Sequence, residues 1–286
     1  MKSVIRKTLL YKSGVEYADY CINHVEGCAH GCRFPCYAMM MKKRCGIIKS
    51  YEEWIEPKIV ANALELLNKE LPRHKHKINF VHLCFSTDPF MYKYPEVRNL
   101  TLKIIERLNK DNIRCVILTK GIYPRALVNT KKYGIDNEYG ITLVSLSNSF
   151  KERFEPYSAS YKKRIESLRY LQKIGLKTWV SMEPYPTQNL IKQNLINILK
   201  SISFVDKIIF GKINYNTTSN QFKKNNNLFY RKCVDIVIDF CKKNKIEYHI
   251  KHGTQKKNNE KTEKIFRENI IEDTSPSVEQ PTLSLN

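Results

Sequence analysis

From Tyr17 to Ile250, short runs rich in β-branched and aromatic residues alternate with longer segments whose apolar residues recur every three to four positions. The short runs predict strands at Tyr17–Asn23, Asn79–Phe85, Arg114–Thr119, Tyr139–Leu146, Lys177–Met182 and Asp206–Phe210, with Glu247–Ile250 as a candidate seventh. The longer segments predict helices at Ile59–Leu71, Val97–Leu108, Arg164–Ile174, Leu190–Ile202 and Phe229–Lys242. Strand and helix in alternation imply parallel strands joined by right-handed crossovers. Six such units make an α/β fold, a partial (β/α)6 barrel of parallel strands.

In such barrels the working residues sit where a strand ends and its loop begins. The loops after the predicted strands read H-V-E-G-C-A-H-G-C-R-F-P-C, S-T-D-P-F, K-G-I-Y-P-R, S-N-S-F-K-E-R-F-E-P-Y, E-P-Y-P-T and G-K-I-N-Y-N, which gathers cysteines, acids, Lys, Ser and Tyr at one face. Glu155 in R-F-E-P-Y and Glu183 in M-E-P-Y-P follow successive strands. Each could serve a substrate, or fix its loop by accepting backbone hydrogen bonds.

With 286 residues and 42% hydrophobic content the chain can bury one sizeable core, expected over residues 1–252, ahead of a polar, aperiodic and therefore disordered tail at 253–286. No apolar run approaches the roughly 20 residues of a membrane helix, and the first residues lack the pattern of a signal peptide, so no membrane association and a cytoplasmic location are expected. The formal net charge is +21, all of it in residues 1–250, which carry 43 Lys and Arg against 22 Asp and Glu. Dense positive charge makes nucleic acid a candidate partner. The Lys-, Asn- and Ile-rich composition of an AT-rich genome would produce the same excess.

Four of nine cysteines, Cys28, Cys32, Cys36 and Cys45, crowd into one segment, which in a reducing compartment points to metal. Cys84, Cys115, Cys233 and Cys241 sit in apolar contexts and read as buried structural residues. Cys28, Cys32 and Cys36 follow the first strand at a spacing of four. A zinc site normally takes four ligands in two pairs. Cys45 or His30 could supply a fourth, but three evenly placed thiolates fit better a [4Fe–4S] cube with one open iron, which S-adenosylmethionine (SAM) can chelate through its amino and carboxylate groups.

The segment G-C-A-H-G-C-R-F-P-C-Y-A, with F-S-T-D-P-F, N-L-T-L-K-I-I-E-R-L, V-I-L-T-K-G, R-F-E-P-Y-S, R-I-E-S-L-R-Y-L-Q-K-I-G-L and S-M-E-P-Y-P downstream, resembles the radical SAM enzymes of the spore photoproduct lyase type from about Ile22 to Pro186. One departure is local. The family usually encloses two residues between its last two cysteines, whereas Arg33-Phe34-Pro35 places three between Cys32 and Cys36.

The resemblance implies a radical SAM partial barrel, a [4Fe–4S] cluster on Cys28, Cys32 and Cys36, reductive cleavage of SAM, and an external electron donor such as flavodoxin or ferredoxin. It also implies SAM contacts. Tyr37 would lie near the adenine, Ser86, Thr87 and Asp88 near the amino group, Lys120 on the methionyl carboxylate, and Ser145 on ribose or carboxylate. The lyases are thought to use a cysteine near the second strand's end as hydrogen donor, at a position where this chain has Phe85. Cys84, one residue earlier, is expected to face away, since neighbours on a strand point to opposite sides. Repair of a thymine dimer in DNA, the reaction of those lyases, is therefore not the expected one. Two function classes follow: an enzyme that abstracts hydrogen from an unidentified substrate, nucleic acid among the candidates, and a non-catalytic iron–sulfur or zinc protein that binds nucleic acid through its basic surface.

Overall fold

The computed structural model describes residues 1–15, 18–34 and 36–255. In chain order the strands are β1 (Ser3–Val4), β2 (Leu10–Lys12), β3 (Tyr20–Ile22), β4 (Val25–Glu26), β5 (Lys58–Val60), β6 (Phe80–Leu83), β7 (Arg114–Thr119), β8 (Glu138–Thr142), β9 (Lys177–Tyr185), β10 (Lys207–Lys212) and β11 (Glu247–Ile250). The helices are α1 (Tyr37–Arg44), α2 (Tyr51–Ile55), α3 (Ala63–His74), α4 (Pro95–Asn109), α5 (Thr130–Tyr133), α6 (Asn148–Phe154), α7 (Tyr161–Lys173), α8 (Leu195–Ser201), α9 (Thr217–Gln221) and α10 (Lys223–Asn244).

One eight-stranded sheet runs β11-β10-β9-β8-β7-β6-β3-β2, and β1-β5-β4 form a small second sheet. From β3 to β11 every pairing in the large sheet is parallel, and β2 alone is antiparallel, on β3. The sheet is open, with β11 and β2 at its edges, so this is the expected partial barrel with the seventh parallel strand in place. Apolar spacing explains the outer layer. α4 buries Val97, Thr101, Ile104, Ile105 and Leu108, one stripe of a 3.6-residue period, and α7 buries Tyr161, Arg164, Leu168 and Leu171.

Several expected boundaries move. Tyr17 lies outside the described residues, and the first parallel strand is Tyr20–Ile22. The helix expected from Ile59 begins at Ala63, because Lys58–Val60 pairs as a strand with both Ser3–Val4 and Val25–Glu26. The helix expected over Leu190–Ile202 is the shorter Leu195–Ser201, started by the Asn194 side chain accepting from Asn197 N–H. Met1–Thr254 forms one compact unit. The tail expected to be disordered lies, from residue 256 onward, outside the described residues. Among the described residues no helix is long and apolar enough to cross a membrane.

Candidate functional site

A cavity of about 750 Å³ opens at the C-terminal ends of the parallel strands. Cys28, Cys32 and Cys36 all line it. Their loop is shaped by two left-handed glycines. Gly27 has φ +75°, and a Cβ there would stand 2.7 Å from Trp54 O; Gly31 has φ +59°, and a Cβ there would stand 2.5 Å from the Tyr51 hydroxyl. Backbone hydrogen bonds from Cys28 N–H to Trp54 O and from Arg33 N–H to Phe154 O tie the loop to α2 and α6. Phe34 is buried and stacks on Phe154 at 5.3 Å, so the residue between the second and third cysteines anchors the loop from below. Cys36 starts α1, and its thiol lines the cavity.

His30 is a brace. Its Nε2 is taken up by Tyr92 N–H at 2.9 Å, and its Nδ1 faces Asp88 Oδ2 at 3.3 Å. Asp88 is itself 5% exposed. Its Oδ1 accepts from Phe90 N–H and Thr119 Oγ1, and its Oδ2 from Lys120 N–H. Burial works against its charge, but the neighbouring His30 and these hydrogen bonds hold the carboxyl below the usual carboxylate range. Asp88 thus ties the cysteine loop to the ends of β6 and β7.

Behind the cavity wall lies a second knot of charge. Glu155 is fully buried, accepting from Lys120 Nζ at 2.7 Å and from Arg164 Nη2 at 2.6 Å. Arg164 is fully buried too, and also donates to Ala159 O, Thr142 O and Ser158 Oγ. Burial opposes ionisation of Glu155, yet the charges and hydrogen bonds of Arg164 and Lys120 hold its carboxyl at about 2. Lys120 reaches the cavity while its ammonium is held by Glu155 and stands 5.8 Å from the Phe34 ring centre.

The other expected site residues divide. Tyr37, Ser86, Thr87, Asp88 and Lys120 line the cavity with the three cysteines. Ser145 does not. It is fully buried in the loop after β8, where its Oγ accepts from Ser147 N–H, while Thr142, the last residue of β8, lines the cavity. Of the two acids, Glu183 faces the cavity and pairs with Lys251 at 2.8 Å, whereas Glu155 is spent on fixing its loop. Cys84 is absent from the lining and Phe85 is in it. The reason is sharper than strand alternation: β6 ends at Leu83, and Cys84 turns into the left-handed region at φ 56°, burying its Sγ 3.4 Å from His24 Nδ1.

Sequence reasoning missed Tyr11, Cys21 and Asn23, which enter the cavity from β2, β3 and the loop after β3, with the Tyr11 hydroxyl donating to Cys21 Sγ at 3.3 Å. It also missed Lys212, Asn214 and Tyr215 as site residues, although the loop G-K-I-N-Y-N carried a signal: lysine and tyrosine at a strand's end.

The donor set fits an iron–sulfur cube. Cys45, the candidate fourth ligand, and Cys21 line the same cavity as the three loop thiols, yet among the described residues no three His, Cys, Asp or Glu side chains are grouped to hold a single metal ion. In a cube each thiolate takes a different iron, so the three need not converge on one point. Burial pushes all three thiols up, Cys32 to about 12, so a metal centre must displace their protons on binding.

Comparison with known proteins agrees with this chemistry. A family model described as the radical SAM superfamily matches residues 22–198. An uncharacterized protein of Methanocaldococcus jannaschii is 26% identical over 167 residues, which span 58% of this chain and 60% of that protein. An uncharacterized protein of Acidianus two-tailed virus is 25% identical over 221 residues, 70% of this chain and 69% of that one. Among solved structures, spore photoproduct lyase with bound AdoMet and dinucleoside spore photoproduct matches with a TM-score of 0.63 at 13% identity, covering 86% of this chain and 80% of the lyase. At that identity the likeness shows the fold alone.

Proposed function

The chain belongs to the radical SAM superfamily, and from that premise we propose that Cys28, Cys32 and Cys36 hold three irons of its [4Fe–4S] cluster, with SAM on the fourth iron in the same cavity. When bound, the cluster and SAM supply a 5′-deoxyadenosyl radical able to take hydrogen from unactivated carbon. The protein's share is to position and shield. The observation that carries the assignment is the convergence of these three thiols with Ser86, Thr87 and Lys120 on one cavity.

Within it, Ser86 and Thr87 stand at the end of β6 for SAM's amino group, and Tyr37 at the start of α1 for the adenine. The Lys120 ammonium, oriented by Glu155, would meet the methionyl carboxylate with a charge-assisted hydrogen bond. Asp88 acts at one remove, holding the strand ends, because its oxygens already accept from Phe90, Thr119 and Lys120. Ser145 has no part in this site.

The substrate enters along the wall built by β9, β10 and the end of β11. Lys212 lines it with no hydrogen-bond or ionic partner among the described residues, Lys251 is paired with Glu183, and the Tyr37 and Tyr215 rings stack 6.3 Å apart. An anionic substrate with flat rings suits these groups, and nucleic acid also suits the basic body. An external donor such as a flavodoxin or ferredoxin supplies the electron. Nine unpaired cysteines suit the reducing cytoplasm.

Anaerobically reconstituted protein is expected to hold about four iron and four sulfide per chain and, with dithionite and SAM, to release 5′-deoxyadenosine. Changing Cys28, Cys32 or Cys36 to Ala abolishes both, whereas Cys45→Ala preserves both. Stoichiometric zinc without sulfide in an anaerobic preparation refutes the assignment.

A further inference from the structure

A second pocket, of about 450 Å³, lies on the two loops that build the cofactor cavity. Each loop serves both. After β6, residues 86–88 line the cavity and Phe90–Pro95 line the pocket; after β7, Lys120 lines the cavity and Ile122–Pro124 the pocket. Four aromatic residues line it: Phe90 and Tyr123 are buried and fixed edge to face at 5.3 Å as its floor, and the partly exposed Tyr92 and Tyr94 stand at its walls. The Tyr123 hydroxyl is anchored below the pocket, donating to Gly140 O at 2.6 Å, so that ring is held rigidly.

Two cations complete the lining, Lys93 and Arg98. No carboxylate lines the pocket, and neither cation has an ionic partner among the described residues. Lys93 holds a left-handed backbone, φ 65°, which no L-residue adopts without strain, and its ammonium stands 5.8 Å from the centre of the Tyr92 ring. An aromatic lining with unpaired cations at hand suits a ligand that is flat, apolar on its faces and anionic at one end.

We propose that this pocket binds a phosphate-bearing nucleobase, the rings taking the base and Lys93 and Arg98 the phosphate, either as a free nucleotide or as one unit of a single strand. Base stacking on aromatic side chains with cations tracking phosphate is how sequence-tolerant single-strand binding works. The site is separate from the SAM cavity, and it stands whether or not the chemistry there acts on nucleic acid.

The test uses reconstituted full-length protein. Affinity is measured for AMP, for a fluorescein-labelled twelve-residue oligothymidylate, for an abasic strand of equal phosphate count, and for a polyglutamate peptide, across salt. Wild type is expected to bind the oligothymidylate more tightly than the abasic strand. The double variant Lys93→Gln/Arg98→Gln is expected to lose about tenfold or more, and its log–log salt slope to fall by about 1.4, at about 0.7 per phosphate contact. Tyr92→Leu should weaken the oligothymidylate and leave the abasic strand unchanged. Binding of AMP as well would assign the site to free nucleotides; loss of AMP binding with retention of the strand would assign it to the polymer. Release of 5′-deoxyadenosine without added nucleotide should be the same in the Lys93→Gln/Arg98→Gln variant as in wild type, which separates this result from the fate of the SAM site. Equal affinity for thymidylate, abasic and polyglutamate probes, or wild-type affinity in the double variant, overturns the proposal.

Discussion

The two walls of the cofactor cavity are built on opposite principles. On the β6–β8 side, every charged group is matched inside the protein: Asp88 accepts three hydrogen bonds, and fully buried Glu155 binds Lys120 and fully buried Arg164. On the β9–β11 side the charges are half-buried, Glu183 pairs with Lys251 near solvent, and Lys212 is left unpartnered among the described residues. Buried charges cost several kcal/mol each to desolvate, and only good geometry with further hydrogen bonds offsets this. The first wall therefore has its geometry set before any ligand arrives. The second retains charge that no protein group among the described residues neutralises.

The sharpest way to test this contrast is to break one acid on each wall. Glu155→Gln leaves Arg164 and Lys120 facing a neutral amide in the interior, and is expected to cost about 3–5 kcal/mol in urea unfolding. Glu183→Gln breaks a partly exposed pair and is expected to cost about 1 kcal/mol or less. Equal losses would show that the walls do not differ as their burial suggests.

Acid titration gives a smaller, graded version. His24 and His82 are buried and neutral, burial holding each at about 3 against 6.5 when unfolded. The unfolded chain therefore binds more protons as pH falls below 6.5, so their contribution is fully present above that value and declines toward pH 3. Glu155 sits at about 2 against 4.5, so its contribution, on the order of 3 kcal/mol, is present above about 4.5 and lost as pH falls through 2. Stability measured by urea midpoint should begin to fall near pH 6.5, and Glu155→Gln should remove only the later part of the decline. A flat profile between pH 7 and 5 would contradict the neutral, buried state of the histidines.

The smallest effect is expected on the open wall. Lys212→Gln should leave the urea midpoint within about 0.5 kcal/mol, since no side-chain partner is lost, while weakening the proposed nucleic-acid binding several-fold at low salt and less at high salt. Unchanged binding at low salt would remove Lys212 from the substrate wall.

Much of the frame could be read from periodicity. Arg114–Thr119 and Glu247–Ile250 have the expected ends, each run closing directly before lysine and a nearby glycine, Lys120-Gly121 and Lys251-His252-Gly253. The N-terminal elements were not legible. β2 is three residues long with two of them exposed, and α1 buries none of its residues, so neither leaves a periodic trace. Ile59 and Val60 extend the apolar spacing of the helix behind them, but both are β-branched, and pairing with β1 and β4 takes them into a strand.

The sequence by itself determined the cysteine spacing, its place after a strand, and the order of acids, lysines and serines around the strand ends. These are local facts, since a side chain's loop and its face of a strand follow from its neighbours in the chain. Only the tertiary structure decided what each group does there. Lys120 meets Glu155 and Glu155 meets Arg164 because the loops after β7 and β8 and the start of α7 pack together. His30 becomes a brace because the segment carrying Tyr92 returns beneath the cysteine loop. Cys84 leaves the cavity through one left-handed residue. Partners in the fold compete for each charge and hydrogen bond, and that competition is settled by distances between residues far apart in the chain.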